Sequence, residues 1–402
     1  MKENFYKKVL DNGMVILFEK RNLPVVSVAI AVKFGGINES IEEKGIAHFI
    51  EHMLYKGTPT RDLKKISEEI EKNGGELNGF TGEEVTAYWC KMPSRHLKIA
   101  LDVLSDMIKN PLFDEVELEK EREVIFEEIK MHKDNPRLHV FDGLKDVLYE
   151  GSLGMNLAGT YETMNSINRK KIVKKFNEIY RPNNLVLAVV GDADFDEIVK
   201  FAQKSFGKEK GIIPKIDVQL KKDFKIEERE GIDQANLVFA YHSPLVNDEK
   251  NYAAQVLTTL MAGGMSSRLF QEIRAKRNLA YAVKGEADIS KDFAYSFIYV
   301  GTNKENVEKI KGLILDEFKK VSNKLTEEEL SQVKNQLIGN YQISMEDSQD
   351  QMVNLLVSEI HGDAFSFYDY ENHITSVKLK DVKELAKSVL DNYSFFALVP
   401  KI

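Results

Sequence analysis

The chain has 402 residues, 43% hydrophobic and 30% charged, with a formal net charge of -8. That length exceeds one ordinary domain, and the acidic balance argues against a general nucleic-acid binder. A single cysteine, Cys90, excludes an intrachain disulfide and fits a reducing compartment. In chain order, the opening MKENFYKKVLDNG lacks the apolar core of a signal peptide, and no apolar run approaches the roughly 20 residues of a membrane span. We therefore expect a cytoplasmic chain with neither a membrane nor a nucleic-acid partner.

The segments GMVILFE (13–19) and VVSVAIAVKF (25–34) are rich in β-branched residues and predict strands. VTAYWCKM (85–92) and NLVLAVVG (184–191) read the same way. Between them lie helical segments. RDLKKISEEIEKNGG stops at Gly74 and Gly75, SRHLKIALDVLSDMIKN is amphipathic, and DEVELEKEREVIFEEIKMHKDNP is long and acidic. Strands alternating with helices predict α/β or α+β layers.

The charged stretch 207–229, with its Gly and Pro, is the best linker candidate, and we place the linker at 211–224. The domains expected on either side are 1–210 and 225–402. After the linker the pattern restarts: ANLVFAYHS reads as a strand and NYAAQVLTTLMAGGMSSRLF as a helix. AHFIEHMLYKG (47–57) lies over AQVLTTLMAGG (254–264) with apolar positions in step. His48, Glu51 and His52 then fall on Gln255, Thr258 and Thr259. This predicts a duplicated domain whose second copy lacks the polar trio.

That trio interrupts an apolar helix. His48, Glu51 and His52 stand at i, i+3 and i+4, so they share one face. Ile46, Phe49, Ile50 and Met53 form the adjoining apolar stripe. Two imidazoles one turn apart can reach one zinc ion, and a glutamate between them would stand beside an activated water. An isolated His-x-x-x-His pair is more often two hydrogen-bonded histidines. The enclosed glutamate and apolar frame make this the inverted zincin pattern, His-x-x-Glu-His. A catalytic zinc takes a third protein ligand. The acidic helix offers Glu121, Glu123, Glu127 and Glu128, and spacing alone does not choose among them. Val124, Ile125 and Ile129 suggest that part of this helix is buried.

With these motifs in hand, the sequence resembles the pitrilysin/insulinase (M16) family of zinc metallopeptidases, in its short branch of bacterial processing-peptidase-like enzymes. GIAHFIEHMLYKGT resembles that branch's zinc helix, and EREVIFEEIKM its second zinc segment. The resemblance implies an α+β fold of two homologous α/β-layer domains, LuxS/metallohydrolase-like, with mixed, mostly antiparallel sheets and helices on one face. It implies Glu128 as third ligand, 128 − 52 = 76 residues after His52, and Glu121 as a carboxylate that orients the ligands. GGELNGFTGEEVTAYW resembles the segment supplying a substrate-binding asparagine, here Asn78. GGMSSRLFQEIRAKRNLAYAV resembles the segment carrying an arginine and a tyrosine seven apart, here Arg274 and Tyr281. In the family these bind the substrate main chain and support the developing oxyanion. Asn278 departs from a usual glycine, and asparagine tolerates the left-handed backbone better than most residues.

The implied function is a zinc endopeptidase, with one Zn2+ per chain and Glu51 as base, acting on extended peptides inside a homodimeric chamber. The alternatives are the catalytic subunit of a heterodimeric processing peptidase, and a binding relative without catalysis. The intact trio together with the Arg274/Tyr281 pair favours a self-sufficient homodimer.

Overall fold

The computed structural model describes residues 2–215 and 217–401. Two units divide the chain. Unit 1 comprises Met1–Lys130, Asn156–Asp217 and Ser344–Tyr368; unit 2 comprises Met131–Met155, Val218–Ile343 and Asp369–Ile402. Each unit therefore includes a segment from the other half of the sequence. Among the described residues, no helix is long and apolar enough to cross a membrane.

Unit 1 is built on six strands: β1 (Phe5–Val9), β2 (Val15–Lys20), β3 (Val25–Val32), β4 (Glu76–Thr81), β5 (Thr86–Pro93) and β6 (Leu185–Gly191). Their order is β1-β2-β6-β3-β5-β4. Only β2 and β6 pair in parallel; the other neighbours are antiparallel. The central strands are apolar almost throughout, because both faces are covered. Ile16, Phe18, Val28 and Ile30 face one core, and Val15, Leu17, Ala29 and Ala31 the other. The expected one-sided layer is supplied by α1 (Ile46–Leu54), α2 (Leu63–Glu71), α3 (Leu97–Lys109) and α4 (Glu115–Asp134, in unit 1 through Lys130). The second face is covered as well, by the helix Ser348–His361, whose Met352, Leu355 and Leu356 pack on β3 and β6. Gln351 of that helix donates to buried Glu19 at 2.7 Å, and Ser348 meets Ser27 at 2.9 Å.

Helix α1 packs on β4 and β5. Nine residues make a marginal helix in water. Burial of Ile46, Phe49, Ile50, Met53 and Leu54 holds it, at about 1.5–3 kcal/mol per large side chain. The β4 strand is a sheet edge, so one row of its backbone groups is unpaired within the unit.

Unit 2 repeats the plan. Its strands are β7 (Phe224–Arg229), β8 (Ala235–His242), β9 (Ala280–Ile289), β10 (Ala294–Thr302) and β11 (Ser394–Pro400), in the order β7-β11-β8-β10-β9. This is the β2-β6-β3-β5-β4 order of unit 1, with the single parallel pair in the same place. Helix α5 (Pro136–Leu148) covers β8 and β11 from one side. The helix Asn251–Ala262 follows β8 as α1 follows β3.

Candidate metal centre

The α1 helix is seated from its start. Glu39 is buried; its Oε1 accepts from the Ala47 amide at 2.7 Å and its Oε2 from the Gly45 amide at 3.1 Å. Burial pushes the Glu39 carboxyl up to about 7, against the pull of Lys44 and the two amides. Lys44, itself fully buried, lies 3.5 Å away.

The expected face forms. His48 Nε2 and His52 Nε2 lie 3.2 Å apart. Glu128 of α4 brings Oε2 to 3.5 Å from His48 Nε2 and Oε1 to 3.7 Å from His52 Nε2. Among the described residues this is the group of three or more metal-capable side chains, one atom from each lying within 4.8 Å of the others. Two donors about 2.05 Å from one ion at the tetrahedral angle would be about 3.3 Å apart. The separations, with one Glu128 oxygen toward each imidazole, are of the size one zinc ion requires. The donor set, two imidazoles and a carboxylate, is also a zinc set.

Of the four glutamates left open by spacing, Glu128 joins the histidines. Glu121 stands behind them, its Oε2 3.0 Å from His52 Nδ1. That bond places the ring proton on Nδ1 and leaves the Nε2 lone pair toward the shared space. Glu123 and Glu127 are exposed. Val124 is exposed too, contrary to expectation; the buried stripe of α4 runs through Leu118, Glu121, Arg122 and Ile125. Val124 turns outward with Glu123 and Glu127.

Glu51 is partly buried on the same face of α1. Its Oε2 accepts from the Thr81 hydroxyl at 2.6 Å. Burial raises its pKa, and the Thr81 bond opposes that rise. Gly79 makes this approach of β4 feasible: a Cβ there would lie 2.5 Å from the Tyr55 hydroxyl and 3.2 Å from Glu51 Oε1. Strand alternation puts Gly79 and Thr81 on one face of β4 and Asn78 on the other. Asn78 is exposed, and its Oδ1 accepts from the Gly79 amide at 2.8 Å.

In unit 2, Arg274 and Tyr281 line one cavity of about 540 Å³, together with Gly263, Gly264 and Phe270. Arg274 sits in a π-helical turn, Phe270–Ala275, with its guanidinium 5.1 Å from the Phe270 ring centre. Such turns recur at functional positions. Tyr281 is 45% exposed; its hydroxyl donates to Asn236 Oδ1 at 3.4 Å, beside the Tyr299 hydroxyl at 2.6 Å from the same oxygen. Asn278 adopts φ = 51°, the left-handed conformation that asparagine tolerates.

Residues 14–161 match the family model described as Insulinase (Peptidase family M16), and residues 166–337 match the one described as Peptidase M16 inactive domain. A Rickettsia felis protein named an uncharacterized zinc protease is 33% identical across 99% of this chain and 98% of its own length. The chain belongs to the M16 peptidase family. A Bacillus subtilis relative, also named an uncharacterized zinc protease, is 33% identical over 96% of each chain. In fold, this M16 chain is similar to a protease from Helicobacter pylori, with TM-score 0.91, 22% identity, and coverage of 98% and 99% of the two chains. A Pseudomonas fluorescens structure titled a peptidase M16 inactive domain aligns with TM-score 0.88 at 19% identity.

In unit 2 of this M16 chain, the residues aligned with the trio are otherwise engaged. Thr258 is buried and donates to the Ala254 carbonyl at 2.8 Å, and Gln255 donates to Asn251 at 3.0 Å. No sequence motif singles out Thr81 or Gly79. A period-2 reading of ELNGFT would have put both on one face, but nothing in it points that face at Glu51.

Proposed function

We propose that this chain is a zinc endopeptidase that cleaves peptides or short unfolded segments held in extended form. The observation that carries the reading is the His48–His52–Glu128 triangle, of the size one zinc ion requires, with Glu51 on the same helix face. The names of the Rickettsia and Bacillus relatives support it.

One zinc ion per chain would be held by His48, His52 and Glu128, and when bound it supplies a Lewis acid that polarises a carbonyl and makes water acidic. Glu51 takes the proton from the attacking water and returns it to the leaving amine. Thr81 holds one oxygen of Glu51, leaving the other for that exchange. The unpaired edge of β4 offers main-chain groups to an extended peptide, a mode tolerant of side-chain sequence. Asn78, on that strand, is a candidate for fixing the peptide backbone. Arg274 and Tyr281 are the candidate donors to the developing oxyanion, each such donor being worth about 10²–10³ in rate. A homodimer, in which each zinc set is completed by the partner's Arg274 and Tyr281, belongs to the same proposal, as does a cytoplasmic location. The test is zinc content by elemental analysis combined with peptide-library cleavage, with and without chelator. A chain that binds no zinc, or cleaves equally well after metal removal, would sink the reading.

A further inference from the structure

The segment that follows α1, YKGTPTR (55–61), has no part in the chemistry above. Its geometry gives Lys56 one. The Lys56 amide donates to the Met53 carbonyl at 3.1 Å, so the chain still follows the last turn of the helix. Gly57, at φ = +124°, then turns it away. Thr58, Thr60 and Arg61 fasten the departing turn to Asp106 of α3. Lys56 is thereby held on the side where α4 passes. Its Nζ lies 2.5 Å from Glu121 Oε1, while the other oxygen of that carboxylate meets His52 Nδ1 at 3.0 Å.

We propose that Lys56 is a positioning residue of the metal centre: its ammonium fixes the Glu121 carboxylate in the orientation that receives the His52 Nδ1–H, and so fixes the ligand ring. The inference rests on the zinc reading and extends it one residue outward. The pair is not an ordinary surface contact. Side-chain exposure is 18% for Lys56 and 9% for Glu121. A carboxylate so removed from water is costly unless paired, and Glu121 is one of three carboxylates, with Glu51 and Glu128, gathered around two imidazoles. A glutamate held only through the histidine could rotate about its side-chain bonds. Held at both oxygens, it has one orientation, and the ring inherits it.

The experiment uses the full-length chain. Zinc affinity is measured by competition with a chromophoric chelator, and ligand geometry by the visible absorption of the Co2+-loaded protein. Lys56→Met should weaken zinc about tenfold, the lower end of the range for partners behind metal ligands, and alter the Co2+ spectrum. Lys56→Arg, which keeps the charge, should recover most of both. In a Glu121→Gln background, Lys56→Met should cause no further loss, because Lys56 acts through that carboxylate. Wild-type affinity and spectrum in Lys56→Met would overturn the proposal, as would an equal fold loss in both backgrounds. If Lys56→Met does not fold, Lys56→Gln takes the same measurements. Glu128→Gln separates the two levels. If it binds zinc as wild type does, the metal reading fails and this proposal with it. If it loses zinc while Lys56→Met stays normal, only the role of Lys56 falls.

Discussion

The Thr81 hydroxyl donates to Glu51 Oε2 at 2.6 Å, tying the edge strand β4 to the face of α1 that carries both histidines. The tie crosses from strand to helix over a glycine, Gly79, where a Cβ would lie 2.5 Å from the Tyr55 hydroxyl and 2.9 Å from the Ala87 carbonyl oxygen. A partly buried carboxylate on a nine-residue helix thus has one oxygen pinned. The strand that pins it is also a sheet edge beside α1, so under the proposed function a peptide added to β4 and Glu51 as the base would share one frame.

The first prediction tests that frame. Glu51→Gln should keep full zinc occupancy and lose turnover, since an amide cannot accept a proton from water. Thr81→Val keeps the shape of the side chain and removes the donor. It should lower kcat about tenfold with zinc unchanged, and Thr81→Ser should restore most of the loss. Steady-state kinetics alongside metal analysis check both. Appreciable hydrolysis by zinc-loaded Glu51→Gln would remove Glu51 from its role.

A second prediction concerns the two glutamates of α4, seven residues apart. Glu128 lies 3.5 Å from His48 Nε2, whereas Glu121 reaches the histidine pair only through the far nitrogen of His52. Glu128→Gln or His48→Ala should abolish zinc binding at micromolar metal. Glu121→Gln should weaken it about 10–100-fold and refill in excess zinc. Equal and complete loss in both glutamate variants, measured by dialysis against buffered zinc, would mean that the two share the metal.

The parts legible in sequence are those set by local periodicity. The trio at i, i+3 and i+4 had to share a face once the surrounding apolar residues made a helix. The repeat is legible because the apolar positions of 47–57 and 254–264 fall in step, and the common strand order of the two sheets agrees with a duplication. What stayed illegible depends on tertiary approach. Glu121 and Glu128 are equivalent in spacing and were told apart in sequence only by family resemblance; α4 packs so that one meets Nε2 and the other Nδ1. The partner of Glu51 comes from a strand 30 residues away, and a lone threonine hydroxyl carries no pattern. Nor does the periodicity of Ser348–His361 say that it packs on β3 and β6 of unit 1.

A third prediction is about stability and pH. Asp106 anchors the turn after α1. Its Oδ2 accepts from Thr58 and Thr60 hydroxyls at 2.7 and 2.8 Å and from Arg61 at 2.8 Å, and its Oδ1 from Asn110 at 2.8 Å. Burial pushes its carboxyl up, but these donors outweigh burial and hold it at about 2, below its ordinary 3.8. A carboxyl depressed by folding contributes stability that is present above the unfolded value and is lost as pH falls through the folded one. Wild type should therefore exceed Asp106→Asn by about 1–2 kcal/mol at pH 5, after discounting for solvent screening, and the gap should shrink between pH about 4 and 2. Urea unfolding at pH 5 and pH 3 checks this; a gap that is constant or widens toward acid would contradict it.

The last prediction concerns assembly. Unit 1 carries the proposed metal set and unit 2 carries Arg274 and Tyr281. Under the proposed homodimer, each metal set works with the partner's Arg274 and Tyr281, in a symmetric pair with two sites. Two disabled variants then complement each other. Glu51→Gln homodimers lack the base at both sites, and Tyr281→Phe homodimers lack the hydroxyl at both. In a mixed dimer, the Tyr281→Phe chain contributes an intact metal set that meets the intact Tyr281 of the Glu51→Gln chain. The second site of that dimer combines both defects. Random exchange makes about half the dimers mixed, each with one good site, so roughly a quarter of wild-type activity should return if the sites act independently. Exchange is followed separately, by differently tagged chains. Demonstrated exchange without recovered activity would show either that Tyr281 serves the metal set of its own chain, which overturns the assembly as proposed, or that the two sites do not act independently.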